Sequence, residues 1–68
     1  MLDGADRIAF SDVELLGASV FVLRCRVDGK IVGVPPLRLL PGTTIARAGD
    51  LGTLVLERDM ARHLGLVE

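Results

Sequence analysis

Asp28-Gly29 stands between two runs that alternate apolar and polar in step, and this constrains the fold more than any other feature of the chain. A type I′ turn needs positive φ at both central residues, and Asp-Gly is one of the dipeptides that supplies it. A two-residue turn here also sets the register. Val27 then faces Lys30, Cys25 faces Val32, and Leu23 faces Val34. Leu23, Cys25, Val27, Val32 and Val34 fall on one face, with Arg24, Arg26, Ile31 and Gly33 on the other. A slip by one residue would send each of these side chains to the wrong side. The pattern predicts a strand over 18–27, with Phe21 also on the apolar face, and a return strand over 30–34. Pro35-Pro36 ends the second strand, because proline cannot donate to a ladder.

The rest of the chain reads as short elements between turn signals. Ser11-Asp12-Val13-Glu14 fits the S-x-x-E capping box and would open one helical turn that stops at Gly17. The competing reading runs residues 8–10 into a short edge strand, and the two stay open. Residues 37–40 suit a helical turn or a short strand, and Pro41-Gly42 is a turn. Residues 43–46 and 53–56 are strand candidates, with a tight loop at Gly49-Asp50-Leu51-Gly52 between them. Residues 58–64 place Met60, Ala61 and Leu64 on one face of a helix, and Gly65 suits the left-handed position just past its end. A weak echo links Gly29-Lys30-Ile31-Val32 to Gly52-Thr53-Leu54-Val55, followed at matching distance by Gly42 and Gly65. Turn signals at this spacing predict a mainly β fold. The expected architecture is a small, partly open β-barrel, SH3-like or related, with four to five short strands and a short C-terminal helix. Residues 1–10 are expected to be a flexible segment and 11–68 the single domain.

Two family resemblances bear on this. Gly52-Thr53-Leu54-Val55-Leu56, followed by Ala61-Arg62-His63-Leu64-Gly65-Leu66, resembles part of the swapped-hairpin DNA-binding antitoxins, in which a Gly-led strand precedes a short helix ending in Leu-Gly. The likeness is confined to residues 52–66, and the chain has Leu56-Glu57 where that family commonly has a proline. It implies a dimer that contacts DNA through a basic hairpin face. The Gly-Asp-x-Gly turn before an apolar strand is similar to one found in SH3-like barrels.

Size then decides what stabilises such a fold. A chain of 68 residues buries only roughly 60% of its unfolded surface, so its stability is marginal. Cys25 is the single cysteine, so no disulfide can form within the chain. One Cys and one His do not close a protein zinc site, which takes about four ligands. Half of the residues are hydrophobic and the mean hydropathy is +0.49. A small domain with few polar residues exposes apolar patches, and such patches mark interfaces. Self-association or a protein partner is therefore the expected source of added stability. The candidate interface residues are Val20, Val22 and Ile31 on the second face of the hairpin, with Leu37, Leu39 and Leu40 after the double proline.

The chain offers little catalytic equipment. His63 lies beside Arg62 near a helix end, and no G-x-S-x-G nucleophile motif is present. Cys25 alternates with apolar residues and reads as a small buried hydrophobe. Asp28, Asp50 and Asp59 each have a structural place at a turn or a helix start. Neither G-x-G-x-x-G nor a Walker loop occurs. No enzymatic activity, cofactor or metal is expected. Arg24, Arg26, Lys30 and Arg38 form the candidate surface for the alternative, a dimeric DNA-binding regulator. The net charge of −1 argues against it, and the lack of Trp and Tyr argues against stacking on single strands. Asp3 and Asp6 stand where a secretory leader would be basic, and no run reaches the ~20 apolar residues of a membrane helix, so a cytoplasmic protein is expected.

Overall fold

The computed structural model describes residues 6–67. Four strands, β1 (Arg7–Ala18), β2 (Leu23–Val27), β3 (Lys30–Val34) and β4 (Leu51–Glu57), are followed by one helix, α1 (Arg58–His63). They form a single antiparallel sheet in the order β3-β2-β1-β4. The mainly β class and the short C-terminal helix are as expected. The sheet stays open, with β3 and β4 as its two edges, so it is not a closed barrel.

The β2–β3 hairpin has the register that its turn dictates, from Val27↔Lys30 to Leu23↔Val34. Asp28 and Gly29 take φ of 51° and 81°, as a type I′ turn requires. Its N-terminal boundary differs from expectation. β2 begins at Leu23, and residues 19–22 form the turn that joins it to β1. The Ser19 hydroxyl accepts the N–H of Phe21 at 3.2 Å and of Val22 at 3.1 Å, while the Ser19 N–H donates to the Val22 carbonyl at 2.9 Å. A side-chain oxygen that offers the backbone such partners diverts it from the ladder. Phe21, expected on the core face, consequently leaves the sheet.

β1 corrects the reading of the N-terminal third. The Ser11–Glu14 capping pattern starts no helix, because Val13 and Leu15 alternate into the core on a 12-residue strand. Residues 7–10 fall in the segment expected to be flexible, but they pair with β4 from Arg7↔Glu57 to Phe10↔Leu54, in line with the competing strand reading of residues 8–10. The part of the expected flexible segment at residues 1–5 lies outside the described residues. The far half of β1 pairs with β2, from Glu14↔Arg26 to Ala18↔Leu23. Register shifts between Phe10 and Val13, and between Leu15 and Gly17, bend the strand so that it serves both neighbours. Asp12 sits in the first of these with φ 56°, a conformation that Asp tolerates better than bulkier residues.

One face of the sheet is covered. Val13, Leu15, Leu23, Cys25, Val27, Val34, Leu54 and Leu56 are buried on it together with Ile45 from the segment that crosses from β3 to β4. Leu39 from the same segment, and Met60, Leu64 and Leu66 from the C-terminal region, pack against them. Each such aliphatic side chain withdrawn from water contributes roughly 1.5–3 kcal/mol. α1 stops as its sequence predicts. Gly65 has φ 79°, its N–H donates to Arg62 O at 3.0 Å, and the Leu66 N–H donates to Ala61 O at 2.9 Å.

Residues 43–46 are not a strand. Along the outer edge of β4, Thr44 N–H donates to Thr53 O and Thr53 N–H donates back to Thr44 Oγ1, both at 2.9 Å. One residue pair further on, Leu40 N–H donates to Val55 O at 3.1 Å and Val55 N–H donates to Thr43 Oγ1 at 3.0 Å. Two threonine hydroxyls stand in for the carbonyls of a fifth strand. The backbone is thereby released from extended pairing and Ile45 is free to turn into the core.

Candidate interaction surface

The uncovered face of the sheet is built in rows. Leu51, Glu14, Arg26 and Ile31 are successive cross-strand neighbours through all four strands. Gly17, Arg24 and Gly33 make the next row. In the first row Arg26 Nη1 meets Glu14 Oε1 at 3.1 Å, with both side chains about half exposed. Such a pair contributes at most about 1 kcal/mol, and it places a carboxylate beside the Arg26 charge. In the second row Arg24 is flanked by two residues without side chains. Val22 leans over one of them, since a Cβ on Gly33 would lie 2.9 Å from Val22 Cγ2. Gly17, Ala18, Ser19, Val22 and Arg24 line a shallow groove of about 250 Å³ on this side.

The β1–β2 turn projects from the end of the sheet as an apolar tip. Val20 and Phe21 are 83% and 84% exposed, held there by the Ser19 hydrogen bonds. Ile31 is 60% and Leu51 71% exposed on the uncovered face. Of the expected interface residues, Val20, Val22 and Ile31 are at the surface. Leu37 is exposed on a 3-10 turn (Pro36–Arg38) just after β3. Leu39 packs against the core and Leu40 is half-buried with its N–H committed to β4, so these two do not join the surface. Phe21 and Leu51 were not expected there. The signal for Phe21 was Ser19, a residue that closes turns with its own side chain. The signal for Leu51 was parity: Leu54 and Leu56 face inward, so Leu51 faces outward once the strand is extended to reach it.

The four basic residues are not all brought together. Arg24 and Arg26 share the uncovered face, where Arg26 is paired with Glu14. Lys30 alternates to the opposite face, and its Nζ donates to Gly65 O at 2.7 Å, tying the end of α1 to the hairpin. Arg38 is exposed on the 3-10 turn.

The remaining reactive side chains are placed structurally. Cys25 is fully buried, and burial pushes its thiol pKa up, which keeps it protonated. His63 is exposed in the last turn of α1. The Asp50 carboxylate accepts the N–H groups of Arg47 and Ala46, both at 2.8 Å, and these bonds hold its pKa below the usual range. Among the described residues no three His, Cys, Asp or Glu side chains converge, and no helix is long and apolar enough to cross a membrane. Comparison of the chain with family models, with curated proteins and with solved structures found no match.

Proposed function

We propose that this protein is a non-catalytic interaction module that acts by association, either with itself or as an accessory subunit docked on a larger protein. The observation that supports this is the tip at Val20-Phe21, two large apolar residues almost fully exposed on a turn that is already ordered. Leaving such side chains in water forgoes roughly 1.5–3 kcal/mol each, which burial against a partner would recover. A tip ordered beforehand also lowers the entropy lost on binding. The bent β1, shared between β2 and β4, is the feature that favours kinship with small SH3-like barrels that have opened at one seam. The duplex-binding alternative has less support, because Lys30 lies on the face opposite Arg24 and Arg26, and Arg26 has the Glu14 carboxylate beside it.

The test is absolute mass in solution by light scattering after size exclusion, across a dilution series, for the wild type and for Val20→Ser with Phe21→Ser. Both residues are exposed, so the variant is expected to keep the wild-type unfolding midpoint while its association weakens. A wild type that stays monomeric and freely soluble at high concentration, and behaves like the variant, overturns the reading.

A further inference from the structure

We propose that β3 is a pairing edge for a second copy of this chain, in an antiparallel strand pair centred on Val32. This rests on the reading that the protein acts by association, and it adds a self-pairing edge distinct from the Val20-Phe21 tip. In a two-residue hairpin the pairs Val27/Lys30, Cys25/Val32 and Leu23/Val34 exchange hydrogen bonds, and the alternate pairs do not. The N–H and C=O groups of Ile31 and Gly33 therefore point away from β2. Among the described residues they have no hydrogen-bond partner, and both residues are exposed. The opposite edge of the sheet, by contrast, is closed by Thr43 and Thr44.

The edge is complementary to itself. With Val32 at the two-fold axis, Ile31 faces Gly33 of the second copy and Gly33 faces its Ile31. Each such pair exchanges two backbone hydrogen bonds, and all four outward groups on each chain are used. The exposed Ile31 side chain then lies over a position that has none, beside the Val22 methyl that already covers it. On the other face Val32 meets Val32, and Lys30 lies opposite Val34. Lys30 is held by Gly65 O, so it does not fold over the edge to block it. Across the axis Lys30 and the second copy's Arg24 are roughly 10 Å apart at the backbone and on opposite faces, and on the shared face Arg26 and that Arg24 are three strand spacings or roughly 14 Å apart. Both separations exceed the screening length of roughly 8 Å at physiological salt, so like charge opposes the pairing only weakly.

Backbone amide exchange, followed residue by residue on the whole protein across a dilution series, tests this alongside light scattering. The mass is expected to rise from 7.3 kDa to twice that. Over the same range the Ile31 and Gly33 amides should slow on the order of tenfold or more. A doubled mass with no slowing at these two amides overturns the β3 pairing while leaving association intact, and a mass that stays at the monomer value overturns the pairing too. Ile31→Pro removes one outward N–H and leaves the bonds to β2 in place, since an edge strand accepts proline where its N–H faces solvent. It is expected to stay monomeric where the wild type is a dimer, and pairing at wild-type strength in that variant would also count against the proposal.

Discussion

The two edges of the sheet pose the same chemical problem and meet it differently. On β4, the outward groups of Thr53 and Val55 are all satisfied, two of them by the hydroxyls of Thr43 and Thr44. On β3, the outward groups of Ile31 and Gly33 face solvent. An exposed row of backbone donors and acceptors is a template for another strand, and proteins usually cover or charge it. Here the cover depends on the segment adjoining each strand in the chain. The crossing segment runs past the outer edge of β4 with two threonines at the right height, whereas β3 leads straight into Pro35-Pro36, which carry no N–H to fold back.

The contrast breaks most completely if the β4 cover is removed. Thr43→Val with Thr44→Val keeps the shape of both side chains but leaves the Val55 and Thr53 N–H groups without partners. A loss of about 2–4 kcal/mol is expected in urea unfolding. The variant should also gain a second mode of concentration-dependent association, because β4 then resembles β3. Next in size is Gly52→Ala. A Cβ at that position collides with Thr44 Oγ1, so the hydroxyl must give up its bond to Thr53. A cost of about 1–3 kcal/mol is expected. In a Thr44→Ala background the same substitution should cost less, and a double-mutant cycle measures that coupling.

A third prediction concerns the loop that presents the cover. Asp50 accepts the N–H groups of Arg47 and Ala46, just beyond Ile45, and these bonds lower its pKa in the folded chain. The unfolded chain therefore takes up a proton at higher pH than the folded one does. The stabilisation is present in full above the unfolded value of about 3.9 and is lost as pH falls through the lowered folded value. Urea midpoints measured from pH 6 down to pH 2 are expected to fall less steeply for Asp50→Asn than for the wild type. The smallest effect is expected from Gly33→Ala. The new Cβ only displaces a Val22 methyl, so stability should change by less than about 1 kcal/mol. The displaced methyl would crowd the second copy's Ile31, and dimer formation should weaken. Unchanged dimerisation in this variant would argue that Ile31 does not pack over Gly33.

Legibility from the sequence tracks the range of the interactions. Ile31 is legible as a surface residue, because the Asp28-Gly29 turn assigns the hairpin faces by alternation. Lys30 groups with Arg24 and Arg26 by charge, although the same alternation places it on the other face. Phe21 falls on the core face only if that alternation is carried back toward Ser19, where a side-chain turn interrupts it. Ser11 and Glu14 carry a genuine helix-start pattern, yet Val13 and Leu15 gain more from pairing and burial in β1 than one isolated helical turn could supply. The echo between the segments starting at Gly29 and Gly52 is visible in the sequence. That its two strands become opposite edges of one sheet is not.

The amino-acid sequence by itself determined the register of β2 and β3 and the end of α1, at Asp28-Gly29 and at Gly65. These are set by backbone conformations and hydrogen bonds that span only a few residues. Tertiary structure alone decided that β1 would bend to serve two neighbours, that Thr43 and Thr44 would seal β4, and that β3 would be left open. Those outcomes depend on which distant segments compete for the same edge and the same apolar face, and no local pattern carries that information.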